Sequence, residues 1–358
     1  MLFSVETKQK LVGIARLASQ SEALATKKSV AYRELASRSI LNRCASKRVP
    51  FAWTINPYRG CEIGCHYCYA RYTHEFMGME DPRLFERRIF SKANAAALLT
   101  RELRHHKKGD IAIGTSTDPY QPAEKRFRVT RSLLEVFAKE KGRTLSITTK
   151  SGLITRDIDL LSRIRRANVL HVNITITTVD AALAQKLEPK APRPQLRLKT
   201  VKQLAAAGIS VGVFANPVMP LLTDSIGNLE NLARAAADAG AKYLGGGVLF
   251  LMPSAQAQFF PFLDREFPAL SRRYRKRYLA SPYLRGEYER LIRRRLTQAR
   301  HKFGLAAAPL PYRPEDWDPD APAERQLNLF GDGSQAGYPA KIGSQGGGSP
   351  KIDQGRSV

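Results

Sequence analysis

The sequence predicts an α/β fold: a partial (βα)6 barrel similar to a TIM barrel, with a basic N-terminal arm and a C-terminal helical extension. Three observations support this prediction. Six short apolar or β-branched segments alternate with amphipathic helical patterns across residues 51–255. Such alternation gives a parallel sheet with right-handed crossovers. Long basic stretches lie on either side of this region, and a Pro/Gly-rich segment ends the chain.

The predicted strands share β-branched or apolar runs, and the predicted helices share apolar residues at helical spacing. The strands are Phe51–Ile55, Ile111–Gly114, Thr144–Thr149, Val169–Thr177, Ser210–Ala215 and Lys242–Leu251. The helices are Ala93–His105, Arg131–Lys139, Arg156–Arg165, Gln195–Ala207 and Ile226–Ala239. In barrels of this kind the chemistry lies at the C-terminal ends of the strands.

The flanking segments differ from the barrel region in charge and composition. Residues 1–50 form a basic arm with 10 Lys/Arg and 3 Asp/Glu, in which Val30–Leu41 is a candidate short helix and no strong strand is evident. Residues 256–304 are predicted to form a basic helical extension, with 13 Lys/Arg and 4 Asp/Glu from Asp264 to Lys302. Residues 305–358 are rich in proline and glycine, and we expect them to be disordered.

The charge of the whole chain favours polyanionic partners. Lys and Arg number 58 against 32 Asp and Glu, a formal net charge of +26. Such a field favours DNA or RNA, although a basic enzyme from an Arg-rich proteome has the same composition. In the extension, arginines interleave with Tyr274 and Tyr278, either as a phosphate-contacting patch or as a solvated helix face packed on the barrel by its aromatic residues.

Other features indicate a cytoplasmic protein that does not contact the membrane. The first residues include Glu6, Lys8 and Lys10 and form no apolar signal region. No apolar run approaches the roughly 20 residues of a membrane span. Three of the four cysteines fall within eight residues, which is typical of a metal site in a reducing compartment rather than of a disulfide framework.

The cysteine cluster follows the first predicted strand. Cys61, Cys65 and Cys68 are accompanied by Gly60 and Gly64, which allow the backbone to fold closely around an inorganic core. Three thiolates suit a soft metal or an iron–sulfur cluster. A [4Fe–4S] cube held by three cysteines keeps one iron open, as reactive metal sites do. The alternatives are a structural zinc site with Cys44, His66 or His74 as the fourth ligand, or three incidental cysteines.

The spacing Cys-x₃-Cys-x-aromatic-Cys, with Tyr67 in the aromatic position, resembles the radical S-adenosylmethionine (SAM) superfamily. The segments Asn56–Cys61, Ser116–Pro122 and Thr149–Ser151 resemble its spore photoproduct lyase-like branch, and most closely the uncharacterised bacterial members. The resemblance covers roughly residues 35–300. The named lyase of that branch is thought to use a barrel cysteine as a hydrogen donor, but this chain has Ile113–Thr115 near that position. Spore photoproduct repair is therefore not implied.

The resemblance implies a mechanism and its cofactors. A [4Fe–4S] cluster on the three cysteines would bind SAM through its open iron and cleave it reductively. The resulting 5′-deoxyadenosyl radical would abstract hydrogen from a substrate. An external electron donor such as flavodoxin or ferredoxin would supply the electron.

Several residues at predicted strand ends are candidate cofactor contacts. Ser116 and Asp118 could bind the methionine ammonium or the ribose, or form an ordinary turn. Lys150 could meet the methionine carboxylate, or be a surface lysine. Thr175 could face the barrel lumen or pack against a helix. Arg197 could hold a carboxylate or phosphate, or lie on a helix surface.

One further tyrosine is a candidate for the chemistry itself. Tyr69 follows the third cysteine directly, where it could stack on adenine or relay a hydrogen atom. Packing is the alternative role. The resulting hypothesis is a lyase-like radical SAM enzyme whose substrate is a nucleic acid. The alternatives are a protein or small-molecule substrate, or a noncatalytic zinc-stabilised nucleic-acid-binding protein.

Overall fold

The computed structural model describes residues 11–27, 29–46, 49–105 and 109–317. The strands within these residues are β1 (Ala23–Lys27), β2 (Val30–Glu34), β3 (Asn42–Arg43), β4 (Trp53–Ile55), β5 (Tyr58–Arg59), β6 (Arg88–Ser91), β7 (Ile111–Ile113), β8 (Thr144–Thr149), β9 (Val169–Thr175), β10 (Ser210–Val218) and β11 (Leu244–Val248). They form two sheets, one of four strands and one of seven.

The helices within the same residues are α1 (Gly13–Ser19), α2 (Ala95–Leu103), α3 (Ala123–Phe127), α4 (Val129–Phe137), α5 (Ile158–Ala167), α6 (Ala181–Leu187), α7 (Pro194–Ala206), α8 (Ile226–Asp238), α9 (Pro253–Glu266), α10 (Pro268–Tyr278) and α11 (Glu287–Lys302). Three 3₁₀ helices, Tyr69–Met77, Pro82–Glu86 and Gly152–Asp157, complete the described elements. Two of these 3₁₀ helices lie between β5 and β6, and the third lies between β8 and α5.

The seven-stranded sheet confirms the predicted fold class. Its order is β11-β10-β9-β8-β7-β4-β3. The first six strands in this order run parallel to one another, and β3 pairs antiparallel with β4. Helices connect consecutive parallel strands, as the alternation in the sequence predicts. In the described residues the sheet ends at β3 and β11 and does not close, so the barrel is partial. The main core lies between this sheet and its helices.

The N-terminal segment was expected to contain a short helix at Val30–Leu41, and this prediction is wrong. β1 and β2 form an antiparallel pair, and β2 continues into the four-stranded sheet β1-β2-β6-β5. Val30 and Tyr32 point to the buried side of β2, which is the period-two pattern of a strand with one buried face. Because β6 lies more than 50 residues further along the chain, the local sequence does not show this pairing.

Two of the C-terminal helices pack against the part of the barrel that carries the cysteines. α9 and α10 pack with the cysteine loop, residues 60–68, in a second apolar cluster. Tyr274 and Tyr278 of α10 are buried there, and their hydroxyls donate to the carbonyls of Pro220 and Leu249. The tyrosines thus attach the helix to the barrel, as the packing alternative predicts, while the neighbouring Arg272 and Arg273 are exposed.

The expectation of disorder from residue 305 onward is wrong for residues 305–317. Ala306 forms a parallel bridge with Tyr243, and the hydroxyl of Tyr312 accepts a hydrogen bond from the amide of Leu170 (2.6 Å). These residues therefore pack along the main sheet. The remainder of the predicted tail, 318–358, lies outside the described residues, as does part of the predicted arm. Among the helices described, none combines the length and the apolar character that crossing a bilayer requires.

Candidate functional site

The cysteine loop follows β4 and β5 at the C-terminal end of the parallel sheet. Gly60 adopts φ +79°, and a Cβ atom at this position would lie 2.6 Å from the carbonyl oxygen of Arg88 and 2.8 Å from that of Phe85. Gly64 adopts φ +63°. These left-handed conformations and the close backbone approach explain why glycines flank the cysteines.

All three thiols of this loop are free and lie in a desolvated environment. Burial raises the pKa of Cys61 well above its ordinary value, that of Cys65 to about 12, and that of Cys68 as well. The Lys150 cation opposes this rise at Cys65 and Cys68. The thiolate forms that ligate metals therefore need compensating positive charge, which a bound metal centre supplies.

The loop after β7 holds the cysteine loop in place. The side-chain oxygen of Asn56 accepts hydrogen bonds from the amides of Ser116 (2.8 Å) and Thr117 (3.2 Å). The Gln121 side chain bonds both the amide of Glu62 (3.0 Å) and the carbonyl of Gly60 (2.9 Å). Asn56 and Gln121 were not among the predicted site residues, although both lie in the segments that carry the family resemblance.

Asp118 joins the loop after β7 to the end of β8. Its carboxylate accepts hydrogen bonds from the hydroxyl of Thr149 (2.6 Å) and from the amides of Lys150 (2.7 Å) and Tyr120 (2.9 Å). Burial raises the pKa of Asp118, and these donors oppose the rise. The turn that the sequence offered as an alternative is thus present, and it lies beside the cysteine loop.

A buried ionic network lies beneath Cys65. Glu188, at the end of α6, accepts hydrogen bonds from the hydroxyl of Tyr67 and from the guanidinium of Arg197. The ammonium of Lys150 lies 4.0 Å from the same carboxylate and 5.9 Å from the centre of the Tyr67 ring. The cations of Arg197 and Lys150 hold the pKa of Glu188 below its ordinary value despite its burial.

Arg197 is buried, so the helix-surface alternative is wrong for this residue. Besides its ion pair with Glu188, it donates to the carbonyls of Pro192 (2.7 Å) and Thr175 (3.0 Å). All three guanidinium nitrogens thus have partners in the protein. Arg197 therefore positions Glu188. The role of Arg197 as a direct cofactor contact stays a prediction.

The structure brings the predicted site residues to one end of the sheet. Tyr67, Lys150 and Arg197 meet at Glu188, which was not among the predicted site residues. Thr175 ends β9 and is linked to this group through its carbonyl. Two residues later the hydroxyl of Thr177 is buried and has no hydrogen-bond partner within the described chain.

Tyr69 connects the cysteine loop to the end of β7. Its hydroxyl donates to the carbonyl of Thr115, and its ring lies 4.9 Å from that of Phe250 and 6.5 Å from that of Tyr72. Burial raises the pKa of this phenol above its ordinary value. Packing and a chemical role both remain compatible with this position.

The comparison with protein families decides the class of this site. The Radical SAM superfamily model matches residues 55–236, which span β4 to α8 and include all three cysteines. This chain belongs to the radical SAM superfamily. It is accordingly a radical SAM enzyme, and the superfamily implies both SAM and a [4Fe–4S] cluster as cofactors. The noncatalytic zinc-protein alternative is thereby removed.

Two relatives match this chain in sequence over different lengths. The chain is 35% identical over 289 residues to the uncharacterized protein Rv2578c of Mycobacterium tuberculosis, covering 80% of this chain and 85% of the relative. It is 33% identical over 178 residues to the uncharacterized protein MJ0683 of Methanocaldococcus jannaschii, covering 49% and 64%. Both relatives are described as uncharacterized, so they do not identify the substrate.

Solved structures of spore photoproduct lyase share the fold. A mutant with bound AdoMet (SAM) and dinucleoside spore photoproduct has a TM-score of 0.60 at 14% identity, covering 84% of this chain and 85% of that one. Another mutant of the lyase has a TM-score of 0.57, with the same identity and coverage. The likeness supports a partial radical SAM barrel, and at this identity it shows the fold alone.

The residues present fit the cluster that the superfamily implies. A cubane cluster takes each cysteine on a separate iron, so the three sulfurs do not have to meet at one point. In the part of the chain that the structure describes, no three His, Cys, Asp or Glu side chains form a site for a single metal ion. The Nε2 atom of His74 lies 3.0 Å from the carbonyl oxygen of Arg88, and the ring of His66 stacks on that of Phe262.

Proposed function

We propose that Cys61, Cys65 and Cys68 each ligate one iron of a [4Fe–4S] cluster and that SAM binds at the fourth iron. The cysteine loop carries this proposal: three desolvated thiols lie on one tight turn at the C-terminal end of the sheet, within the superfamily domain. The fourth cysteine of the chain, Cys44, lies outside this loop and is partly buried. When bound, the cluster and SAM supply a one-electron cleavage that gives a 5′-deoxyadenosyl radical able to abstract hydrogen from the substrate.

The residues of the chain bind and orient these groups. Lys150 places a cation beside Cys65 and Cys68, where the negative charge of a bound cluster and a methionine carboxylate would both be stabilised. Glu188 and Arg197 hold the Lys150 and Tyr67 side chains in place. Ser116, Asp118 and Thr175 are the remaining proposed cofactor contacts, since they lie at the ends of the strands next to the loop.

The apolar cluster around the loop excludes water from the site. Phe259, Phe262 and Leu263 of α9 pack against Cys61, Cys65 and Tyr67. A radical intermediate needs such protection, because water and stray hydrogen donors would end the reaction early. The C-terminal extension thus forms part of the site, rather than a separate domain attached to the barrel.

Iron content and SAM cleavage test the cofactor assignment. Anaerobic reconstitution of the full chain is expected to give about four irons per chain and a broad brown absorbance. Reduction with dithionite should then convert SAM to 5′-deoxyadenosine and methionine. Cys61→Ala, Cys65→Ala and Cys68→Ala should each lose the cleavage, whereas the matched Cys44→Ala variant should retain it. A colourless zinc-bound protein, or cleavage that survives Cys65→Ala, would contradict the assignment.

We propose a nucleic acid as the substrate. The net charge of +26 supports this class, and so do the exposed arginines of α10, because phosphate contacts by Lys and Arg dominate nucleic-acid affinity. An external donor such as flavodoxin or ferredoxin would supply the electron, and we place the reaction in the cytoplasm, where thiols stay reduced. Binding of single-stranded and duplex DNA or RNA, measured across salt concentrations, tests the substrate class. No binding at low salt would instead favour a protein or small-molecule substrate.

A further inference from the structure

A row of aromatic rings leads away from the cysteine loop. Tyr69 lies 6.5 Å from Tyr72, which lies 5.6 Å from Phe76. On its other side Tyr69 lies 4.9 Å from Phe250, which stacks on Tyr283 at 5.4 Å. Three separate segments contribute: the 3₁₀ helix after the cysteines, the end of β11, and the loop before α11.

Tyr69 packs against the neighbouring apolar cluster, and the other four rings of this row lie outside it. Phe76 is 61% exposed, and the other four rings are partly exposed. By contrast, Tyr274 and Tyr278, the aromatic residues that the sequence placed in the basic patch, are buried. A contiguous set of partly exposed aromatic rings on a highly charged protein is a candidate binding surface.

Cationic side chains lie beside two rings of the row, Tyr283 and Tyr72. The guanidinium of Arg285 lies over the Tyr283 ring at 5.5 Å. Near the other end, Arg59 is close enough to Tyr72 for the two side chains to interact electrostatically. The buried Nε of Arg59 has no hydrogen-bond partner among the residues that the structure describes. The surface therefore offers aromatic rings along its length and cations beside Tyr283 and Tyr72.

We propose that this row binds the unpaired bases of a single-stranded or locally opened nucleic acid, with Arg59 and Arg285 contacting its phosphates. Every base has a π face, so successive bases stack on aromatic side chains while the backbone follows the cations. Because Tyr69 directly follows Cys68, the row would lead one nucleotide toward the reaction site. This inference rests on the proposed nucleic-acid substrate and names the form of nucleic acid and the surface that binds it.

Two strands of equal charge test the role of the bases. Fluorescein-labelled oligothymidylate carries bases, and the abasic strand of the same length carries the same phosphates without them. The wild-type chain, reconstituted anaerobically, should bind the thymidylate strand about tenfold more tightly, since one stacked base contributes about that factor. Fluorescence anisotropy at low and moderate salt measures both affinities. Equal affinity for the two strands would overturn the inference.

Variants at the two ends of the row locate the binding surface. Tyr283→Leu and Phe76→Leu keep apolar volume but remove the π face, and each should reduce the preference for thymidylate several-fold. Tyr283→Phe keeps the ring and should retain the preference. Leu196→Ala, at a residue 56% exposed on α7, is the control for exposed apolar surface elsewhere. If both leucine variants keep the wild-type preference, the row is not the binding surface. Phe76→Leu decides the matter if the other variant does not fold.

The same samples separate this inference from the proposed function. Reductive cleavage of SAM by the wild-type chain without nucleic acid reports on the cofactor assignment alone. Cleavage without binding of any strand would remove the nucleic-acid substrate, and this inference with it. Binding that is strong but independent of bases would remove only the stacking row. If the wild-type chain does not cleave SAM, the result contradicts the cofactor assignment instead.

Discussion

Arg197 and Glu188 form an ion pair in which each residue is only 1% exposed. The pair joins the first turn of α7 to the end of α6, and through Glu188 it fixes Tyr67 between two cysteines. A buried charge that loses its partner is strongly destabilising, whereas a solvent-exposed pair contributes little. The site beneath the cysteine loop therefore depends on this contact.

Glu188→Gln should destabilise the fold by about 3–5 kcal/mol, because it leaves the guanidinium of Arg197 buried without a counter-charge. Urea unfolding of the wild-type and variant chains measures the change. Glu289→Gln, which breaks the exposed pair with Arg293 on α11, is the matched control and should cost less than about 1 kcal/mol. If the two substitutions lower the free energy of unfolding equally, the buried ion pair stabilises the fold no more than the exposed one.

Gly60→Ala should distort the cysteine loop and lower the iron content after reconstitution. A Cβ atom there meets two backbone carbonyls below 3.0 Å, and the left-handed conformation alone costs about 1–2 kcal/mol. Gly304→Ala is the control, since Gly304 adopts φ +66° with open space around its Cβ position. It carries the conformational cost without the clash. Full iron loading of Gly60→Ala would argue against the tight turn.

Lys150→Met should weaken SAM binding by about tenfold or more, the size of a lost hydrogen bond to a charged group. Equilibrium binding of SAM to the reconstituted chain measures this effect. Lys199→Met on the exposed face of α7 removes a surface charge and should leave the affinity unchanged. Unaltered affinity in Lys150→Met would reassign this lysine to the support of Glu188 and the thiols.

Lys92 should make the stability of the fold depend on pH. The residue is 5% exposed, and burial, with a further contribution from Arg59, lowers its pKa to about 7 from the ordinary 10.5. Between these two values the unfolded chain binds a proton that the folded chain does not. Stability should therefore rise with pH through this window, by up to about 1.4 kcal/mol per pH unit, and the Lys92 penalty should be fully present below pH 7.

Lys92→Met isolates this effect from other titrating groups. The difference in unfolding free energy between variant and wild type should be largest below pH 7 and should shrink as the pH rises from 7 toward 10. Chemical denaturation at several pH values gives this difference directly. A difference that does not change with pH would mean that Lys92 keeps its ordinary pKa in the folded chain.

The sequence by itself determined the fold class, the superfamily and the position of the cysteine loop. Each of these depends on local patterns: strand and helix periodicity, and three cysteines with two glycines within nine residues. The six parallel strands of the barrel lie where the β-branched segments predict them, with boundaries that shift by a few residues. Local patterning is sufficient here because each element has its own periodicity.

Only the tertiary structure decided how the site is assembled. Tyr67 and Glu188 are 121 residues apart in sequence. Tyr69 contacts Phe250, which follows the last strand of the sheet, β11. The N-terminal sheet was missed for the same reason. Its strand β2 pairs with its sequence neighbour β1 and also with the distant β6. Burial likewise separates Tyr274 from the accessible Tyr283. Contacts of this kind depend on which faces the fold brings together, and no local pattern of residues encodes them.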